Sequence, residues 1–172
     1  MAEQQFPASP VDDTLTVWWV PGGVANTTAP KVSELTANST VDISCYLMGD
    51  FGLQAEQSTW ERKRRCSSKV YDVPGAVKMS FPNFEYAYDP QAAAGAPMNK
   101  AQEVLVPHSE GDFIIRRGIT YSTAPAEGQF VQVIRGRLGL QNDNSPTEQG
   151  DYTMQQAFAP TEEQPKVALV AG

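Results

Sequence analysis

The chain has 172 residues, an apolar fraction of 41% and a formal net charge of −7. This length is enough to bury one good core, and the apolar fraction argues against global disorder. The acidic balance disfavours binding of nucleic acid by broad phosphate neutralisation, which needs clustered Lys and Arg. No apolar run is long enough to predict a transmembrane helix. The polar N-terminus lacks an apolar signal core, so we expect a cytoplasmic chain.

The first quarter of the chain alternates predicted strands with turns. Met1–Asp13 is polar and contains two prolines, which predicts a mobile arm. Thr14–Val20 is rich in β-branched and aromatic residues and predicts the first strand. Lys31–Ala37 predicts one helical turn or an irregular crossing. Val41–Leu47 alternates apolar and polar residues, which predicts a second strand.

The next segment contains most of the positive charge. Gly49–Gln57 contains two glycines and predicts a loop. Ser58–Ser67 predicts a charged strand or an extended hairpin arm. Val70–Val73 and Ala76–Phe81 predict two strands on either side of a Pro74-Gly75 turn.

The central segment combines a strand, a short helix and a second strand. Aromatic residues occupy every second position from Phe84 to Tyr88, a spacing that places their rings on one face of a strand. Asp89-Pro90 ends that strand. Asn99 is a predicted cap for a helix that continues to Leu105 and is limited by Pro107. Asp112–Arg117 is predicted to be extended again.

The C-terminal third predicts strands throughout. Phe130–Leu140 is a strand whose glycines indicate a bulge. Gln141–Gly150 is a polar turn region, Asp151–Phe158 alternates, and Pro165–Val170 is a short last strand. The fold class is therefore mainly β (α+β), a β-sandwich or barrel-like pair of sheets with one short flanking helix. We expect a single domain over residues 1–172, with a mobile N-terminal arm (about 1–13) and C-terminal segment (about 160–172).

Catalytic equipment is nearly absent from the sequence. The single histidine, His108, has no evident partner to orient it, and no nucleotide-binding or nucleophile motif occurs. Cys45 and Cys66 lack metal-ligand spacing, and we expect two reduced thiols in or near the core. We therefore predict no enzyme, no metal and no cofactor. Acidic residues near strand ends are interpreted as turn formers: Asp12, Asp13, Asp89, Asp112 and Asp151.

The one basic cluster runs from Glu61 to Arg65. Three interpretations stay open: an interface between copies of the chain, a solvated strand face, and a nucleic-acid patch. Because the rest of the chain is acidic, pairing between copies is favoured over nucleic acid. Trp18 and Trp19 are adjacent, so one of them must point outward, to an interface or beneath a loop. Core packing is favoured for Tyr86 and Tyr88.

The order of these features resembles the major tail protein, or tail tube protein, of long-tailed, non-contractile bacteriophages, especially those of actinobacterial hosts. The resemblance covers nearly the whole chain. Its segments are TLTVWWVPGG at Thr14–Gly23, VSELT and VDISCYL within Val32–Leu47, ERKRRCSSKVYDVPG at Glu61–Gly75 and FEYAYDPQ at Phe84–Gln91. The helix near Asn99, the GDFIIRRG strand and the FVQVIRGRLG strand follow in the matching order.

The resemblance implies a tail-tube fold and a structural virion protein. Such proteins form hexameric rings that stack into a tube around a tape-measure protein, with inner strands joined into a continuous barrel. The implied partners are further copies of the chain, the tape-measure protein, the tail terminator and distal tail proteins. Double-stranded DNA would pass through an acidic lumen without sequence-specific binding, and no membrane is involved. Assembly would take place in the cytoplasm of the host.

The resemblance also implies that arms and long loops become ordered when rings stack. Here the candidates are Met1–Asp13, Gly49–Val73 and the segment after Ala159. The candidate residues for the subunit or ring interface are Asp50, Phe51, Arg62, Arg64, Arg65 and Trp18. Two alternatives stay open: a β-sandwich binding module such as an adhesin, with exposed aromatic residues, and another tail ring component such as a terminator or a contractile-tail tube.

Overall fold

The computed structural model of the chain describes residues 13–49, 51–66, 68–144 and 151–172. Two short α-helices, α1 (Val32–Leu35) and α2 (Lys100–Val104), accompany 3₁₀ turns at Ser44–Tyr46 and Pro97–Asn99. The predicted mainly β fold with a short flanking helix is confirmed. The strands are β1 Leu15–Pro21, β2 Val41–Asp42, β3 Leu47–Met48, β4 Gln54–Lys63, β5 Val70–Ser80, β6 Phe84–Ala87, β7 Glu110–Arg117, β8 Phe130–Asp143 and β9 Thr153–Ala168.

Seven of these strands form one sheet, and the other two form a separate hairpin. The sheet order is β2-β1-β7-β8-β9-β6-β3, and every pairing in it is antiparallel. The pairing of β1 with β7 is continuous, from Leu15 opposite Arg117 to Pro21 opposite Gly111. The strands predicted near residues 14–20, 112–117 and 130–140 are thus confirmed. Each edge strand of the described sheet has two residues, so β2 pairs only with Trp18 and Trp19 of β1, and β3 pairs only with Glu85 and Tyr86 of β6.

The predicted strand Val41–Leu47 is wrong, because local hydrogen bonds replace the ladder in its middle. The Ser44 amide and hydroxyl both donate to Asp42 Oδ1, at 2.9 and 2.6 Å. The Val17 amide donates to Ser44 Oγ at 2.8 Å. Short polar side chains that bond to nearby backbone compete with strand pairing in this way. The chain therefore turns after Asp42 and reaches the opposite edge of the sheet as β3.

The sheet has a buried core on each face, and the adjacent tryptophans enter different cores. Trp19 is fully buried among the aromatic rings of the larger cluster, 4.7 Å from the Phe113 ring and 6.4 Å from the Phe158 ring. Trp18 is 6% exposed and belongs to the smaller cluster with Leu35 of α1 and Leu169. The outward tryptophan is therefore covered by this chain itself. The two core clusters explain why all residues from Thr16 to Val20 are buried.

Strands β8 and β9 are the longest in the sheet and are repeatedly bulged. Their pairing shifts register at three places, between Val131 and Val133, between Arg135 and Gly136, and between Leu138 and Gln141. These shifts bend the pair and agree with the bulge predicted from the glycines.

The C-terminal predictions need correction. The predicted strand Pro165–Val170 is the end of β9, and residues 160–168 continue that strand instead of forming a mobile segment. A paired strand is favoured there because Leu169 is 1% exposed in the smaller core and anchors the chain end. Of the predicted turn region, residues 141–143 complete β8, and residues 145–150 lie outside the described residues. The predicted arm also lies outside them, except for Asp13.

Helix α2 begins after Asn99, as predicted, but the Asn99 side chain does not cap it. Its amide instead clamps the backbone of Asp89: the Asp89 N–H donates to Asn99 Oδ1, and Asn99 Nδ2 donates to the Asp89 carbonyl, both at 2.8 Å. The helix therefore holds the segment that follows β6. Tyr86 is fully buried in β6, and Tyr88 lies just beyond this strand and is half-buried.

Both cysteines are free and exposed, so their predicted position in or near the core is wrong. Cys45 lies in the 3₁₀ turn that interrupts the predicted second strand, and Cys66 lies beyond the end of β4. In the part of the chain that the structure describes, no helix is long and apolar enough to cross a membrane.

Candidate assembly surface

Strands β4 and β5 form a hairpin that pairs with no other strand of the described chain. Every residue of β4 is exposed, and β5 has only three residues that are not. At about 3.3 Å per residue, ten paired residues extend about 30 Å. An isolated two-stranded hairpin is marginally stable in water, because it buries little apolar surface. The β4–β5 hairpin therefore has the properties of an element that needs a partner.

The predicted boundaries within this hairpin are partly wrong. Gln54 already pairs with Ser80, so the second half of the predicted loop Gly49–Gln57 belongs to β4. Pro74-Gly75 is not a turn but lies at a bulge within β5, where the register shifts opposite Ser58. The Ser58 hydroxyl donates to the Ala76 carbonyl at 3.1 Å, and a Cβ on Gly75 would lie 2.6 Å from that hydroxyl oxygen. The chain reverses instead between Lys63 and Val70, which pair with each other.

The two faces of the hairpin near its tip differ in charge. On one face, Trp60 lies opposite Val73 and Arg62 opposite Tyr71. Arg64 and Cys66 continue this face, and with Arg62, Tyr71 and Val73 they line one shallow pocket. On the other face, Glu61 lies opposite Asp72 and Lys63 lies opposite Val70. We call the first face the arginine–aromatic face; it consists of Trp60, Arg62, Arg64, Cys66, Tyr71 and Val73.

The structure does not bring all the predicted interface residues together. Arg62 and Arg64 lie on the arginine–aromatic face, and Arg65 is exposed in the turn. Phe51 instead packs at the base of the hairpin, with its ring 5.1 Å from those of Phe81 and Phe113. Trp18 is buried in the smaller core, which leaves little of its side chain for a partner. Asp50 lies outside the described residues.

Charge is segregated between the hairpin and the rest of the chain. Residues 54–80 contain six Lys or Arg and three Asp or Glu, a net charge of +3. All other residues together contain seven Lys or Arg and seventeen Asp or Glu, a net charge of −10. The chain therefore combines a basic hairpin with an otherwise acidic sequence.

One groove outside the hairpin is lined mainly by tyrosines and acidic residues. It has a volume of about 550 Å³. Its apolar lining includes Met98 and Tyr152, which are 64% and 51% exposed. The Tyr88 hydroxyl donates to Asp143 Oδ1 at 2.7 Å, and this bond to a carboxylate raises the pKa of Tyr88. We call this site the tyrosine groove; it is lined by Tyr46, Ala87, Tyr88, Asp89, Met98, Asp151 and Tyr152.

An ion pair between Asp112 and Arg135 joins β7 to β8, and it also holds the connection that follows β1. Asp112 is fully buried and accepts hydrogen bonds from Arg135 Nε and Nη2, both at 2.9 Å, and from the Val24 amide at 2.7 Å. The prediction of Asp112 as a turn former is wrong, since it lies inside β7.

Asp89 does form a turn, because its carboxylate accepts the Gln91 N–H at 2.9 Å.

Arg116 is a fully buried cation, and it secures the connection between β7 and β8. The guanidinium donates to Thr16 Oγ1, the Thr123 carbonyl and Gln129 Oε1, at 3.2, 2.7 and 2.9 Å. It also lies 5.1 Å from the centre of the Trp18 ring. Burial lowers the pKa of Arg116 from its usual value. These contacts serve the fold, and the buried Arg116 Nε has no hydrogen-bond partner among the described residues.

One further cluster joins Tyr121 with Cys45 and Asp42, and hydrogen bonds to these two side chains raise the pKa of Tyr121. In the described ranges, no group of three His, Cys, Asp or Glu side chains is placed to hold a metal ion. His108 is exposed in the turn before β7, and its backbone adopts a φ of 65°. The His108 amide donates to the Leu138 carbonyl at 3.0 Å. Its role in this turn is therefore structural.

The sequence predicted the arginines as interface residues, but it did not predict the arginine–aromatic face or the tyrosine groove as a set of neighbouring side chains. The arginine–aromatic face depends on the pairing of Arg62 with Tyr71, which follows only from the position of the hairpin turn. The period-two spacing of Trp60, Arg62 and Arg64 was the available signal. The tyrosine groove joins residues from four separate segments, and no sequence spacing indicated it.

A mainly β sheet with a hairpin that pairs with no other strand of the described chain and is opposite in charge to the rest of the sequence is typical of a structural building block. Comparison with known proteins agrees with this class. The sequence matches the family described as phage tail tube protein over residues 1–172. The chain therefore belongs to the phage tail tube protein family, and it is a structural component of the phage tail and not an enzyme.

A solved structure supports the fold. The chain is similar to one in the structure titled "Cryo-EM structure of the anti-feeding prophage (AFP) baseplate, 6-fold symmetrised", with a TM-score of 0.56 and 7% sequence identity. The alignment covers 92% of this chain and 96% of that chain. At this identity the likeness concerns the fold alone. A search of curated protein sequences finds no match.

Proposed function

We propose that copies of this chain form hexameric rings that stack into the tail tube, and that DNA travels through this tube during ejection. The observation that carries the proposal is the β4–β5 hairpin, exposed on both faces and opposite in charge to the rest of the chain. A basic projection and an acidic body on one chain favour head-to-tail contacts. Such heterologous contacts produce rings when the rotation closes and filaments when it does not.

Six subunits per ring is the stoichiometry we propose. The similar chain comes from an assembly described as 6-fold symmetrised, and the tail tube family accounts for the stacking of rings. Neighbouring subunits would join their inner strands into a continuous barrel, which protects sheet edges from uncontrolled pairing. The two-residue edge strands β2 and β3 leave room for such lateral pairing.

The remaining partners follow from the same role. The tube would assemble around a tape-measure protein, between a tail terminator and distal tail proteins, in the cytoplasm of a host that we predict to be actinobacterial. The net charge of −7 favours passage of DNA without adhesion, because carboxylates repel phosphates. DNA would contact the lumen without sequence-specific binding.

Sedimentation velocity over a concentration series tests this proposal. The wild-type chain is expected to form large particles as concentration rises. A variant with Arg62→Glu, Arg64→Glu and Arg65→Glu is expected to stay monomeric. The matched control makes the same change in net charge at three exposed lysines outside the hairpin, Lys31→Glu, Lys100→Glu and Lys166→Glu.

The control is expected to retain assembly if the hairpin arginines act locally. A wild-type chain that stays monomeric at every concentration would contradict the proposal. Equal assembly by all three proteins would show that the hairpin arginines are not needed for assembly.

A further inference from the structure

We propose that the tyrosine groove of one copy receives the arginine–aromatic face of the hairpin of a second copy. This inference rests on the proposed self-assembly and specifies its contact. The occupant of the groove is the tip of another copy's β4–β5 hairpin, which complements the groove in charge and shape.

The groove contains the groups that a guanidinium binds. Three tyrosines, Tyr46, Tyr88 and Tyr152, line it together with two acidic residues, Asp89 and Asp151. The Asp89 carboxylate also accepts the Gln91 N–H at 2.9 Å. Arg side chains favour aromatic faces within about 6 Å of the ring centre, and they pair with carboxylates through two parallel hydrogen bonds. The volume of about 550 Å³ lies in the range typical of pockets that enclose a compact group.

The hairpin tip presents the complementary groups on one face. Arg62 and Arg64 lie there beside Tyr71, which is 57% exposed, and Trp60, which is 53% exposed. The other face has the acidic residues Glu61 and Asp72 beside Lys63, so the arginine–aromatic face is the better match for a groove that contains Asp89 and Asp151. Large exposed aromatic residues beside arginines are also the composition typical of interface hot spots.

The two surfaces do not meet within one chain. No residue of the described hairpin lines the tyrosine groove, and no described groove residue lines the pocket on the hairpin. Phe51 and Phe81 anchor the base of the hairpin in the aromatic core. The tip lies about 30 Å from this base. A second copy is therefore the natural source of the arginines, and repeating the contact propagates from copy to copy.

Cys66 provides a built-in probe, because it is exposed on the arginine–aromatic face. In a Cys45→Ser background, Met98→Cys places a thiol in the groove, and Leu140→Cys places one at a similarly exposed position outside it. Mild oxidation is expected to convert the Met98→Cys protein into a ladder of disulfide-linked oligomers. The cross-linked fraction is expected to exceed that of the Leu140→Cys control by about tenfold or more, because docking raises the local thiol concentration.

A charge exchange provides the second arm. Arg64→Asp alone and Asp151→Arg alone are each expected to abolish assembly, whereas an equimolar mixture of the two proteins regains it. In the mixture each altered hairpin can meet a groove of opposite charge, and this rescue is not expected from a general loss of stability.

The outcomes separate this inference from the proposed tube. Tubes in the electron microscope, without a disulfide from Cys66 to the thiol introduced by Met98→Cys and without rescue, overturn the inference and leave the tube standing. A ladder linked through that disulfide, in a protein that never forms rings or tubes, supports the inference and overturns the tube. Equal cross-linking of the Met98→Cys and Leu140→Cys proteins overturns the inference. The same holds if peptide mapping finds residues 1–12 or a different partner in the groove.

Discussion

Replacing Arg135 with Met should destabilise the protein more than any exposed arginine replacement, because it strands a buried carboxylate. Asp112 is fully buried and has three hydrogen bonds, two of them from Arg135. The substitution leaves only the Val24 amide, and it also removes the bond from Arg135 Nη2 to the Val24 carbonyl at 2.7 Å. Breaking a buried ion pair costs about 3–5 kcal/mol. The Arg135 side chain is 36% exposed, so we expect the lower end, about 3 kcal/mol.

Urea unfolding followed by tryptophan fluorescence measures this cost. With a slope of about 2 kcal/mol/M, a loss of about 3 kcal/mol lowers the midpoint by about 1.5 M. Asp112→Asn keeps a polar acceptor and leaves Arg135 partly hydrated, so it should cost about 1–2 kcal/mol. The matched control is Arg137→Met, an exposed arginine on the same strand, which should cost under about 1 kcal/mol. If Arg135→Met lowers the midpoint no more than Arg137→Met does, the carboxylate is not held as described.

Three further predictions address other parts of the fold. Gly136→Ala should lower stability by about 1–3 kcal/mol, because its Cβ would lie 2.4 Å from a main-chain oxygen of β9. Gly139→Ala should cost less in the same urea assay, because its Cβ would lie 3.0 Å from its nearest neighbour, the Ala157 Cβ. The Thr27 hydroxyl donates to Glu162 and lowers the pKa of that carboxyl. This contact therefore stabilises the fold above the unfolded-state pKa of Glu162, and its contribution is lost as pH falls through the folded-state pKa. In an NMR titration, Thr27→Val should raise the pKa of Glu162, and an unchanged pKa would contradict the contact. Arg116→Met should speed hydrogen exchange in the connection between β7 and β8, since it removes the donors that hold that connection, and unchanged exchange there would show that other contacts suffice.

Strands whose apolar residues face a core were predictable, and strands interrupted by local bonds were not. β7 contains the apolar run at residues 113–115, and the first half of β8 is rich in β-branched residues, as is typical of strands. Val41–Leu47 alternates equally well, yet hydrogen bonds of Ser44 with Asp42 and Val17 override the pattern. The bonds from Ser44 to Asp42, two residues away, are as short as the backbone bonds of a paired strand. The alternation of apolar and polar residues is compatible with both arrangements, so it does not distinguish a paired strand from a locally bonded turn.

Which side chains lie together on the hairpin depends on the register of its two strands, and the sequence did not predict that register. The sequence indicated a charged strand near Arg62, but Pro74-Gly75 is a typical turn signal, and in this fold it occupies a bulge instead. The register of β5 against β4 then determines that Tyr71 and not Asp72 lies beside Arg62. The tyrosine groove depends on residues as far apart as Tyr46 and Tyr152, whose proximity follows from the order of the sheet.

Cryo-electron microscopy of the purified, assembled chain tests the central claim most directly. The account predicts stacked rings with sixfold symmetry around an open channel, with the β4–β5 hairpin of each copy in contact with another copy. Particles that remain monomeric at high concentration, or assemblies in which the hairpin projects into solvent without a partner, would contradict it.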